Sequence, residues 1–189
     1  MTIGIWGDSI AYGRGDGEAL GWVGRIRKSL PAEEYHDIYN FSICGNNTFD
    51  LLRRFEPEAY GQVFDKVIFA IGTNDAKYSI EQDTNLVTTE DFESNLKKLI
   101  TSAKQYSKEV ILMGATIANE NIRHGSGILF INKEIQKYNQ LSANIASANN
   151  LKFISVYDLL NPELDLADAV HPNTVGYQKM FEYISSKII

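Results

Sequence analysis

Ile3-Gly4-Ile5-Trp6-Gly7-Asp8-Ser9 is a short apolar run, rich in β-formers, that stops on two small polar residues and a glycine. A run of this length bounded by a turn signal reads as a buried strand. The glycine-rich loop Gly13-Arg14-Gly15-Asp16-Gly17 follows it. A strand that ends in Gly-Asp-Ser delivers a hydroxyl to the carboxyl end of a sheet, where open α/β folds place their ligands.

Working outward, strand-like and helix-like segments alternate through the whole chain. Trp22, Val23, Ile26 and Leu30 recur at helical spacing, and Pro31 ends that helix. Asp37–Ile43 reads as a second strand, followed by the turn Cys44–Asn47 and a helix over Phe49–Phe55 with Thr48 as N-cap and Pro57 as its break. Val67–Ile71 is the clearest buried strand, and Ala76–Thr89 reads as a long loop. A helix opened by Thr88 or Thr89 carries Phe92, Leu96, Leu99, Ile100 and Ala103 on one face. Val110–Met113 and Phe153–Val156 give two more strands. The irregular stretch Thr116–Gly127 is long enough to be a site loop. Ile131, Ile135, Tyr138, Leu141 and Ile145 mark one late helix, and Val175, Met180, Phe181, Ile184 and Ile188 the last, with Pro172 placed to open it.

Alternation of this kind implies a single α/β domain over residues 1–189: a central, mostly parallel five-stranded sheet between two helical layers, α/β/α and flavodoxin-like. With 189 residues, 44% of them hydrophobic, the chain can bury one sizeable core. Its net charge of −6 comes from scattered acids, which argues against capture of nucleic acid or an anionic membrane. Cys44 is the only cysteine, so no intrachain disulfide forms. It reads as a small buried hydrophobe rather than a nucleophile. No apolar run approaches membrane-spanning length. The start, Met-Thr-Ile-Gly-Ile-Trp-Gly-Asp, has neither a basic n-region nor an apolar h-region, and the expected location is cytoplasmic.

Three strand ends carry small polar clusters: Gly7-Asp8-Ser9, then Ser42 with Gly45-Asn46-Asn47, then Gly72-Thr73-Asn74-Asp75. In a parallel sheet these ends share one edge. Near the C-terminus, Asp168 lies three residues before His171, and Pro172 biases His171 towards an extended backbone. Asp168 can therefore curl back onto one imidazole nitrogen and leave the other facing a serine. A serine at a strand end, an oriented His–Asp pair and spare donors are the parts of nucleophilic acyl transfer.

These residues resemble the blocks of the GDSL/SGNH hydrolase family of esterases and lipases. Gly7-Asp8-Ser9-Ile10 is similar to the first block, with Ile in place of the usual Leu. Asn40-x-Ser42-x-x-Gly45-x-x-Thr48 is similar to the second, Gly72-x-Asn74-Asp75 to the third and Asp168-x-x-His171 to the last. The four come in family order across nearly the whole chain. The resemblance implies the SGNH hydrolase fold and a serine esterase or acylhydrolase cleaving carboxylic esters, with a small-molecule substrate and no metal or other cofactor; it does not choose the acyl group, but 189 residues leave little room for a large lid, which favours small or short-chain acyl groups. It implies Ser9 as nucleophile, His171 as general base and Asp168 as its partner. It also implies an oxyanion hole from the Ser9 and Gly45 backbone N–H groups and the Asn74 amide.

Each residue also has a structural reading. Ser9 alone would be a helix N-cap, His171 a packing or capping residue and Asn74-Asp75 a turn. The glycine-rich loop lacks both G-x-x-x-x-G-K-[ST] and a G-x-G-x-x-G after the first strand, so it is not a nucleotide fingerprint. His36 and His124 lack metal-ligand spacing and read as surface or loop residues, with His124 open as a substrate contact. The alternatives are a carbohydrate or lipid deacetylase or a thioesterase of the same fold, or a silent binding module.

Overall fold

Along β1 (Thr2–Gly7), Ile3 and Ile5 turn to one face of the sheet and Trp6 to the other, and all three are buried. A strand apolar on both sides needs a helical layer on each. The computed structural model, which describes residues 1–123, 125 and 127–189, supplies both. In chain order come α1 (Ser9–Tyr12), α2 (Gly21–Ser29), β2 (Asp37–Asn40), α3 (Thr48–Ala59), β3 (Phe64–Ala70), β4 (Tyr78–Ser79) and β5 (Thr84–Asn85). They are followed by α4 (Thr89–Ala103), β6 (Ser107–Met113), β7 (Ile128–Leu129), α5 (Asn132–Ala148), β8 (Lys152–Ile154) and α6 (Thr174–Ile188).

The central sheet runs β2-β1-β3-β6-β8, and every pair is parallel. The chain reverses direction across the sheet between β1 and β3. Their carboxyl ends are therefore the crevice where doubly wound folds bind ligands. The period of two persists through the middle strands. Val67, Phe69, Val110 and Leu112 join Trp6 under α3, α4 and α5, while Ile68, Ile111 and Met113 join Ile3 and Ile5 under α2 and α6. Trp6 anchors its side by stacking on Phe41 at 4.4 Å and meeting Phe55 and Phe64 edge-on at 4.8 and 5.5 Å. Truncating such a residue costs roughly 3–5 kcal/mol, so the strand that leads to Ser9 is rigidly seated.

Several boundaries depart from the expectations. The second strand pairs only over Asp37–Asn40, although Phe41 N and Ile43 N still donate to Ile5 O and Gly7 O. Beyond Asn40, the Asn40 side chain accepts from Ser42 N and turns the chain out of register. The cap of α3 is Asn47, not Thr48: it forms a capping box with Asp50, which leaves the Thr48 hydroxyl for another partner. Pro57 does not end α3, which runs on to Ala59; Pro57 and Arg53, whose carbonyl it displaces, are both exposed and can use water. Likewise Pro172 does not open α6, which is capped by Asn173 accepting from Gly176 N at 3.0 Å. The last sheet strand lies at Lys152–Ile154, earlier than expected, because the chain turns into a 3₁₀ helix over Tyr157–Leu159. Within the supposed loop Ala76–Thr89, β4 and β5 pair antiparallel, and β7 adds a third strand. That small sheet positions Phe130 beside the crevice. Among the described residues no helix is long and apolar enough to cross a membrane.

Candidate active site

The crevice is built from β1 outward. Asp8 caps α1 by accepting from Ile10 N at 2.9 Å, so Ser9 is the first helical residue rather than the cap. Its hydroxyl is thereby free, and Ser9 Oγ lies 2.8 Å from His171 Nε2. His171 Nδ1 lies 2.7 Å from Asp168 Oδ2. The other carboxylate oxygen of Asp168 accepts from Val170 N and His171 N, both at 2.9 Å, which is the backward curl that the three-residue spacing allows. Ser9 and His171 are buried, whereas the Asp168 side chain is 44% exposed. Burial works to raise the Asp168 carboxyl, but the two N–H groups and the imidazole outweigh it and hold it below the usual range.

The glycine-rich loop supports this arrangement. Gly15 sits at φ +92°, and a Cβ there would lie 2.8 Å from Pro172 O and 3.0 Å from His171 Cβ. Only glycine lets the loop pack so closely behind the imidazole. Gly17 N donates to Thr174 Oγ1 and Tyr177 Oη to Arg14 O, tying the loop to α6. The Asp16 side chain is buried and ion-paired with Arg25, which also pairs with Glu18 at 2.9 Å. Burial alone would raise Asp16, but this guanidinium and the Glu18 and Gly21 N–H groups hold it far below the usual carboxylate range. The loop is a brace.

Three N–H groups face the same crevice region. The backbone N–H groups of Ser9 and Gly45 have no acceptor among the described residues. Gly45 holds φ +86°, and a Cβ there would meet nothing within 4 Å, so backbone conformation rather than crowding by protein demands glycine. Asn74, also buried, donates one amide hydrogen from Nδ2 to Asn46 O at 2.8 Å, which leaves its second hydrogen for the crevice.

Two hydrogen-bond networks hold these donors. Arg54 donates to Asn46 Oδ1 at 2.8 Å, to Phe41 O at 2.6 Å and to Glu58 Oε2 at 2.7 Å, and Glu58 also accepts from Trp6 Nε1. The loop carrying Gly45 is thus tied to β1, which carries Ser9. Asp75 Oδ1 accepts from both Thr48 N and Thr48 Oγ1, at 3.0 and 2.6 Å, and Asn95 donates to that hydroxyl. Burial pushes the Asp75 carboxyl up to about 6, against the pull of Thr48. It pushes Asp8 up to about 7.

A cavity of about 260 Å³ opens over these groups, lined by Ser9, Gly45, Asn74 and His171 together with Arg14, Cys44, Thr73, Lys77, Phe130 and Val170. Cys44 is exposed there, not a buried hydrophobe, because the turn after Ser42 leaves the sheet. His36 is half-buried, with Nε2 2.9 Å from Glu34, and does not line the cavity. His124 lies outside the described residues. Among the described residues no group of three or more His, Cys, Asp or Glu is arranged to hold a metal. Ser9, His171, Asp168, Gly45 and Asn74 are therefore brought to one place. The motifs single out none of Lys77, Arg14 and Arg54; the only signals are that Arg14 sits in the glycine-rich loop just after Ser9 and Lys77 three residues after Asn74.

The architecture is that of SGNH-type α/β hydrolases. Axe2, an acetylxylan esterase from Geobacillus stearothermophilus, superimposes with a TM-score of 0.78 at 23% identity, covering 99% of this chain and 93% of that one. LAE5, a hydrolase from the metagenome of Lake Arreo, gives 0.78 at 22% identity over 98% and 93%. In sequence, YpmR of Bacillus subtilis (strain 168) is 25% identical over 196 residues, 94% of this chain and 77% of its own. An acetylxylan esterase of Geobacillus stearothermophilus is 25% identical over 150 residues, 74% of this chain and 66% of that protein. The model of the GDSL-like lipase/acylhydrolase family matches residues 5–179. The chain belongs to that family, and it is a hydrolase of carboxylic esters.

Proposed function

We propose that Ser9, His171 and Asp168 cleave a small ester through an acyl-enzyme. The observation that carries this is the unbroken line from Asp168 through His171 to Ser9 Oγ, which opens into a cavity beside three N–H donors. Ser9 Oγ bonds to the acyl carbon as its proton passes to His171 Nε2. Asp168 holds Nδ1 and stabilises the imidazolium so formed. The carbonyl oxygen becomes an oxyanion between Ser9 N–H, Gly45 N–H and the free Asn74 hydrogen. As the tetrahedral centre collapses, the ester C–O bond breaks and His171 returns the proton to the leaving alcohol. Water then repeats the sequence on the acyl-serine and restores the free hydroxyl.

The cavity is at the small end for ligand sites, which supports acetyl or similarly short acyl groups. The likeness to acetylxylan esterases supports an O-acetylated carbohydrate among its esters. A panel of p-nitrophenyl esters of rising chain length, run beside acetylated xylo-oligosaccharides, tests this reading. Expected is kcat/KM highest for acetyl and falling with length; a rate that climbs with chain length overturns it.

A further inference from the structure

Lys77 and Arg14 line the same cavity as Ser9 and His171, and no Asp or Glu lines it with them. This runs against the chain as a whole, which carries 24 acidic and 18 basic residues. Several cations elsewhere are matched: Arg25, Arg54, Lys97, Lys108 and Lys179 each have a carboxylate within 3.1 Å. Among the described residues neither Arg14 nor Lys77 has an ion-pair partner. Two cations without an ion-pair partner thus line the cavity that holds the reacting serine.

Their settings differ in a useful way. Lys77 is half-buried, with its ammonium 5.6 Å from the centroid of the Phe130 ring, a cation–π distance. Burial disfavours its charged form, and the Asp8 carboxylate works the other way. Asp8 is itself buried behind Ser9 and keeps its proton up to about pH 7, so its charge answers Lys77 only in part. Arg14 is exposed in a fixed loop: its carbonyl is held by Tyr177 Oη at 2.8 Å, and the residue lines the cavity. A partly desolvated ammonium and an exposed guanidinium on one small cavity make a receptor for a compact anion.

We infer that the preferred substrate carries an anionic group, a carboxylate, phosphate or sulfate, close to its scissile ester, and that Lys77 and Arg14 bind that group. The inference rests on the ester-hydrolase reading above and names the substrate class for that same site.

The test is a set of matched ester pairs. With the anion on the leaving group, carboxy-p-nitrophenyl acetate is compared with p-nitrophenyl acetate. With the anion on the acyl side, p-nitrophenyl hemisuccinate is compared with p-nitrophenyl butyrate. Each kcat/KM is divided by the rate constant for hydroxide-driven hydrolysis of the same ester, measured at alkaline pH, so that attack by the hemisuccinate's own carboxylate does not enter the ratio. The expected result is a preference for the anionic member of at least one pair of about tenfold or more, as hydrogen bonds to a charged group provide. The preference should shrink as salt rises from about 0.02 to about 0.5 M. Lys77→Met and Arg14→Gln should each lower the ratio towards one, and Lys77→Arg should restore it. Lys97→Met, which removes the same charge far from the cavity, should leave it unmoved. Anionic and neutral esters cleaved alike in both pairs, or a preference untouched by Lys77→Met and Arg14→Gln, overturns the inference while the esterase reading stands. Failure to turn over any of the four esters sinks both.

Discussion

Replacing Asn74 with alanine should separate catalysis from stability, because its amide performs two tasks with two hydrogens. One hydrogen is committed to Asn46 O at 2.8 Å. Losing it frees a half-buried carbonyl that water can partly reach, at a cost of about 1 kcal/mol. For a chain of this size that is a fall in Tm of about 2–4 °C. Against a typical stability of about 5–15 kcal/mol, the protein stays folded at assay temperature. The second hydrogen is needed only once charge develops on the ester oxygen, where a lost donor costs about 2.7–4 kcal/mol. The expected outcome is therefore a kcat lowered roughly 10²–10³-fold with KM little changed. Calorimetry and steady-state kinetics on a short p-nitrophenyl ester measure both quantities on one preparation. A KM effect alone, or a kcat within about threefold of wild type, would refute the assignment.

Asp168→Asn should lower kcat/KM by about 10²–10⁴-fold, at the smaller end if solvent around the exposed carboxylate can still orient the ring; a wild-type rate would remove Asp168 from the mechanism. Gly15→Ala should slow catalysis and lower Tm together, because its methyl would press on Pro172 O and His171 Cβ; unchanged values in both would show that the loop is no brace. Asp8→Asn addresses pH. Folded Asp8 holds its proton up to about pH 7, whereas the unfolded carboxyl releases it near 3.8. Across that window the folded state binds the extra proton, so the Asp8 contribution falls as pH rises, by on the order of 4 kcal/mol in total. The variant keeps an oxygen for Ile10 N and should show a flatter Tm profile between pH 4 and 7; an equally steep decline would mean that Asp8 is already ionised when folded.

The parallel sheet was legible because residues buried on both faces write their position directly into the sequence, as Ile3, Ile5 and Trp6 do. The site was legible because its parts sit at strand ends, and because Asp168 and His171 are only one curl apart. What escaped has physical causes. The strands β4, β5 and β7 have two residues each, too few to carry a period. Thr48 reads as a cap by composition, but Asn47 takes the cap once Asp75 claims the Thr48 hydroxyl, a contact spanning 27 residues. Arg54 looks like an ordinary helix-surface cation, yet it bridges β1 to the Gly45 loop through partners set only by packing. Cys44 and Lys77 depend on where turns leave the sheet, which local composition does not encode.

The central claim is that Ser9 is the nucleophile, made reactive by His171. Incubation with a fluorophosphonate followed by intact-protein mass spectrometry tests it most directly. The account predicts one adduct on the wild-type chain, located at Ser9 by peptide mapping, slowed severely in His171→Ala and absent in Ser9→Ala. Stoichiometric labelling of the Ser9→Ala chain, or an adduct on another residue in the wild type, would contradict it.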